Sequence, residues 1–103
     1  MKDSALVSPE VLARYAGDAA SEVSGVSALA ESALHREKAV VVTQDDGTLA
    51  IAVHVELEWG TSAREVGIMV QKQVRDYVER MANAKVATVD VIVERIASAP
   101  ASR

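Results

Sequence analysis

A chain of 103 residues with a formal net charge of −4 and no cysteine fits one domain around a single core. The acidic balance argues against nucleic-acid and anionic-lipid surfaces, which need clustered Lys and Arg, and the missing cysteines exclude a disulfide framework and thiol chemistry. No stretch approaches the roughly 18 consecutive apolar residues of a membrane span and the start lacks the apolar segment of a secretion signal, so direct membrane insertion is not expected and the composition suits a reducing cytoplasm.

Residues 1–7 read as a frayed leader. Ser8-Pro9-Glu10 opens a helix: Ser as N-cap, Pro where its missing N–H costs nothing, and an acid at the positive dipole end. Val11, Leu12, Tyr15, Ala16, Ala19 and Val23 share one side at helical spacing, and Gly25 is the natural stop. From Ser27 to Glu37 the pattern is weak; Ala28 to Arg36 fits a short helix, an irregular strand or a loop. Lys38–Thr43 reads as a strand, and Asp46-Gly47 is hairpin chemistry leading into the next. There Leu49, Ile51, Val53, Val55, Leu57 and Trp59 alternate with period two, which predicts one buried strand face.

After Trp59-Gly60, Ser62 and Glu65 have capping-box spacing. Val66, Val70, Val74, Tyr77, Val78 and Met81 form the buried stripe of a second helix. Lys72–Asp76, Asp76–Arg80 and Arg75–Glu79 are i,i+4 charge pairs on its wet side, and Asn83 is a left-handed cap. The last strand, Val86–Ile96, sets Ala87, Val89, Val91 and Val93 on one face and Val86, Thr88, Asp90, Ile92, Glu94 and Ile96 on the other. Residues 97–103 read as a flexible tail. The fold expected is α+β: one helix-strand-strand-helix-strand two-layer domain over 8–96 with a three-stranded mixed sheet, the strand–helix–strand unit making a crossover.

Candidate chemistry is sparse. His54, Glu56 and Glu58 share a strand face, but at about 3.3 Å per residue His54 and Glu58 stand too far apart to converge on a metal ion. A solvated face is the simpler reading. Glu56 and Glu58, roughly 7 Å apart by the same rise, match an inverting glycosidase pair in spacing only, since nothing walls a cleft around them. His35 reads as a loop histidine rather than a base, and the glycines form neither a dinucleotide fingerprint nor a phosphate loop. No catalytic residue, cofactor, metal or small-molecule substrate is expected. Val86, Ile92 and Ile96, opposite the main apolar face of the last strand, and Ile68, off the buried helix stripe, are candidate surface contributors. They form an interaction surface, or the first helix covers them on the second sheet face. A last strand at the sheet edge would offer backbone groups to another copy.

Glu22-Val-Ser-Gly-Val26, Trp59-Gly60, Glu65-Val66, Val70-Gln71, Val74, Val78-Glu79-x-Met81 and Val89-Asp-Val-Ile-Val93 resemble, in order and spacing, the bacterial alkaline-shock-protein family, also called the envelope stress response family. The similarity spans 8–96. Departures are Ala82-Asn83-Ala84 where the family often has Thr-Gly-Leu, and Trp59 in place of Tyr at a strand end read as buried. The resemblance implies a non-enzymatic cytoplasmic scaffold or interaction module that serves the envelope under stress, self-associates, and can sit beneath the membrane through a small membrane-anchored partner. It carries over no catalytic residue. The element order is also compatible with a small KH-like nucleic-acid-binding module, without its Gly-x-x-Gly clamp. A metal-assisted hydrolase using His54 and Glu56 is a third reading.

Overall fold

The computed structural model describes residues 7–31 and 38–99, so His35 and most of both termini lie outside the described residues. The order is α1 (Pro9–Ser21), β1 (Val26–Leu29), β2 (Val40–Asp45), β3 (Thr48–Leu57), α2 (Ala63–Ala82) and β4 (Lys85–Ile96). Both helix starts follow their sequence signals: the Val11 N–H donates to Ser8 Oγ and the Glu65 N–H to Ser62 Oγ, each at 3.2 Å. α2 closes on Asn83, whose φ of 53° and ψ of 44° are left-handed. Between β2 and β3, Asp46 and Gly47 both take positive φ (53° and 80°), giving the two-residue turn whose twist matches antiparallel strands.

β3 is the centre of a mixed sheet. β4 pairs with it in parallel from Thr48 to Leu57, while β2 pairs antiparallel with Thr48–Val53 and β1 with Val55–Leu57. Because β4 takes one side of β3 along its length, β2 and β1 share the other, end to end. β1 is the addition to the three strands expected. An irregularity in its pairing at Ser27 breaks the alternation, and four residues with two exposed in the middle carry no period to read.

Both helices lie on one sheet face. Leu49, Ile51, Val53, Val55 and Leu57, each at most 1 % exposed, meet Leu12, Ala16, Ala19 and Ala20 of α1 and Val66, Val70, Val74 and Val78 of α2. Each of the Val, Leu and Ile side chains contributes about 1.5–3 kcal/mol on burial. Tyr15 and Tyr77 join the helices edge to face, ring centroids 6.0 Å apart. α1 therefore does not cover the second sheet face.

Two residues leave the stripes expected of them. Trp59 is 61 % exposed: β3 stops at Leu57, and the chain turns through Gly60 (φ 87°) while the Thr61 N–H and hydroxyl both donate to the Glu58 carbonyl. Met81 is also exposed, because the buried row of α2 steps by four and its next member after Val78 is the half-buried Ala82.

Candidate interaction surface

The β4 register against β3 skips twice, once between Val86 and Thr88 and once between Val93 and Arg95. Each bulge adds one residue and reverses the parity of the residues beyond it. Val86 consequently sits beside Leu49 on the helix-covered face and is 4 % exposed, a core residue rather than part of an outer surface. Val89, Val91 and Val93 keep that face, beside Ile51, Val53 and Val55. Beyond the second bulge Ile96 returns to it, beside Leu57, but at the end of the sheet, where it is 51 % exposed. Ile92 alone of the three lies on the opposite face, which no helix among the described residues covers, half-buried beside His54. Ile68 is exposed on α2, next to the equally open Met69. The four candidates are therefore not one patch. Ile68, Ile96 and Trp59 lie toward the end where β3 and β4 finish and α2 begins.

The polar residues of β3 are more engaged than a solvated face requires. His54 is buried, and its Nδ1–H donates to Glu94 Oε2 at 2.6 Å. Glu56 accepts from the Ser27 hydroxyl at 2.8 Å and from Arg95 Nε at 3.0 Å. The Ser27 hydrogen bond, with the guanidinium's hydrogen bond and charge, holds the Glu56 carboxyl below its ordinary 4.5 against an opposing desolvation. Glu58 is exposed. His54 and Glu56 thus turn to different partners, and among the described residues no three His, Cys, Asp or Glu side chains are placed to share a metal ion. A shallow depression of about 190 Å³ lies between the start of α1 and β2, lined in part by Pro9, Ala13, Lys38 and Val41; it is smaller than the roughly 300 Å³ at which ligand pockets begin.

The outer edge of β4 holds what sequence reading missed. Gln71 Nε2 donates to the Val89 carbonyl at 3.0 Å, Arg75 Nη2 to the Ala87 carbonyl at 3.4 Å, and the Val86 N–H donates to Glu79 Oε2 at 2.9 Å. Arg75 and Glu79, expected to pair with each other, instead reach the strand; Lys72–Asp76 does form, at 3.2 Å. The available signal was a polar row at i, i+4 and i+8 flanking the apolar one. Such a row is ordinarily read as a wet face, because a helix seen alone does not reveal which strand it lies along.

The arrangement is a two-layer α+β domain with helices on one face of a mixed sheet, an opposite face that no helix among the described residues covers, and an edge strand capped over part of its length. The family model for the alkaline shock protein 23 family, of cell envelope-related function, matches residues 2–98, and the chain belongs to that family. It is 29 % identical over 99 residues to the uncharacterized protein Spy1535 of Streptococcus pyogenes serotype M6, covering 88 % of this chain and 77 % of that protein. Among solved structures it is similar to the MamM CTD. A histidine-to-glutamate variant superposes with a TM-score of 0.57 at 12 % identity, covering 84 % of this chain and 93 % of that one. A nickel form of another variant gives 0.56 at 12 %, covering 84 % and 96 %. At that identity the likeness concerns the fold alone. No helix among the described residues is long and apolar enough to cross a membrane.

Proposed function

We propose that the protein is a non-catalytic interaction module of the envelope stress response, working in the cytoplasm by self-association and by docking to a small membrane-anchored partner. The family's cell envelope-related function supports the setting. The observation that carries the reading is the exposure of large apolar side chains toward one end of the domain, with Trp59 at 61 %, Ile96 at 51 % and Ile68 at 49 %. Burying one such side chain stabilises a contact by up to about 1.5–3 kcal/mol, so a few of them suffice for reversible assembly. The acidic surface limits wrong contacts, and in this reading no side chain performs chemistry.

Sedimentation velocity over a concentration series tests it. The wild-type chain is expected to gain mass with concentration, and a variant carrying Trp59→Ser, Ile68→Ser and Ile96→Ser to remain monomeric with its circular dichroism unchanged. A wild-type chain that stays monomeric throughout, and binds no membrane protein in pull-downs, overturns the proposal.

A further inference from the structure

We propose that self-association includes, beside the apolar end described above, the second half of β4, Val91–Ile96, to which a second copy adds the same segment antiparallel about Ile92. This rests on the self-association reading above and extends its surface to a strand edge. Backbone groups of a strand alternate sides residue by residue. The Val89 carbonyl faces away from β3, where Gln71 takes it, so the N–H and carbonyl groups of Val91 and Val93 face outward as well. Four helix residues advance about 6 Å and two strand residues about 6.6 Å, and α2 runs antiparallel to β4. Arg75 lies at Ala87 and Gln71 at Val89, and the next position in the row, opposite Val91, is Gly67. Gly67 has no side chain to reach the strand, and a Cβ there would meet nothing within 4 Å. The helix closes the edge as far as Val89 and stops. Among the described residues nothing bonds the edge beyond it.

Charge selects a second copy as the occupant. The open segment is Val91-Ile92-Val93, β-branched throughout, with Asp90 before it and Arg95 after the bulge at Glu94. The bulge brings Arg95 to the same sheet face as Asp90, beside Glu56 and Ala52 respectively. Antiparallel pairing about Ile92 sets Val91 against the partner's Val93, each with outward backbone groups. With Glu94 counted out of the ladder as the bulged residue, its carboxylate held by His54, it also sets Asp90 against the partner's Arg95, twice by symmetry. Asp90 is exposed and makes no ion pair among the described residues.

The full chain is tested by sedimentation velocity with three variants. Gly67→Gln continues the masking row by one turn and weakens association about tenfold, with no loss of melting temperature. Asp90→Lys alone and Arg95→Glu alone each set like charges together twice and weaken it about tenfold, whereas an equimolar mixture of the two restores opposite charges at both positions and near-wild-type affinity. In wild type, hydrogen exchange at the Val91 and Val93 amides slows as concentration rises. If all three folded variants associate like wild type, the edge assignment is wrong while self-association stands. The edge assignment also fails if the mixture does not restore affinity, or if the two amides stay unprotected in the assembled protein, as they would where the edge serves a foreign peptide. A wild-type chain that never associates removes the broader reading and this one with it.

Discussion

Replacing Gly25 by alanine tests how the α1–β1 turn is held. Two costs arise there, and they can be separated. Gly25 has φ of 102°, a conformation in which an L side chain costs about 1–3 kcal/mol. The backbone has little room to relax, because the Gly25 carbonyl accepts the Glu58 N–H at 2.8 Å and fixes the turn to the end of β3. The second cost is steric: an added Cβ would stand 2.6 Å from Val66 Cγ2, far inside the roughly 3.5–4.0 Å of favourable carbon contact. Together these predict a loss of about 2–4 kcal/mol out of a total stability of about 5–15, a fall in Tm of roughly 10–25 °C. Val66→Ala removes the obstructing methyl groups at its own cost of about 1.5–3 kcal/mol, since Val66 is buried. Gly25→Ala made in that background should then cost only its conformational part, leaving a favourable coupling of about 1 kcal/mol or more. Urea unfolding followed by far-ultraviolet circular dichroism measures all four corners of the cycle. A Gly25→Ala protein within about 0.5 kcal/mol of the parent, or strictly additive single effects, would refute the reasoning.

Three further outcomes are expected. Asn83→Gly should leave Tm nearly unchanged while Asn83→Val lowers stability by about 1–2 kcal/mol, since only the second residue resists a left-handed φ; equal melts would show that the cap is not held as described. Because the folded Glu56 carboxyl titrates below its unfolded value, its contribution is present above the ordinary carboxylate range and is lost as pH falls through the folded pKa. Ser27→Ala should move that titration upward in carbon-13 NMR, and an unmoved Glu56 would remove the Ser27 hydrogen bond as its main cause. Glu79→Ala should cost about 1–2 kcal/mol and speed exchange of the Val86 amide, with Lys72→Ala as a silent control; an unchanged Val86 amide would mean that Glu79 does not cap the strand.

What was legible in the residues was whatever depends on local periodicity and termini. Ser8-Pro9, Ser62, Asn83 and Asp46-Gly47 act where they are read, because a cap or tight turn is decided within a few residues. The alternation of Leu49–Leu57 likewise identifies the central strand. Illegible was everything set by pairing. Parity along β4 holds only until a bulge, and neither bulge has a local signature, so Val86 and Ile96 fell on the wrong face. Trp59 continues the alternation in sequence but not in space, because the strand had already ended. Glu79 offers Arg75 a partner at i+4, yet a strand edge presents unpaired N–H and carbonyl groups whose desolvation weighs more than a surface ion pair of about 0.3–0.5 kcal/mol. His54 shows the same limit on the face away from the helices: nothing within three residues of it predicts Glu94, forty positions on.

The irregularities at Ser27 and Glu94 flank the same short stretch of β3 from opposite sides. Each carries an extra residue where a straight ladder would carry none, and each places a side chain, directly or through its neighbour, on the face away from the two helices. Ser27 and Arg95 converge on the two oxygens of Glu56, while Glu94 reaches His54. Three strands are thereby tied together by polar contacts on the side that no helix among the described residues covers. The residue that makes this possible on β4 also sets Arg95 and Asp90 on one face, the pattern on which antiparallel pairing with a second copy depends. A straight β4 would have turned Arg95 toward the helices and Ile96 toward solvent on the open face, losing the Glu56 contact and the symmetric charge match together. The bulge at Glu94 is thus a single backbone feature on which both the internal cluster and the proposed interface depend.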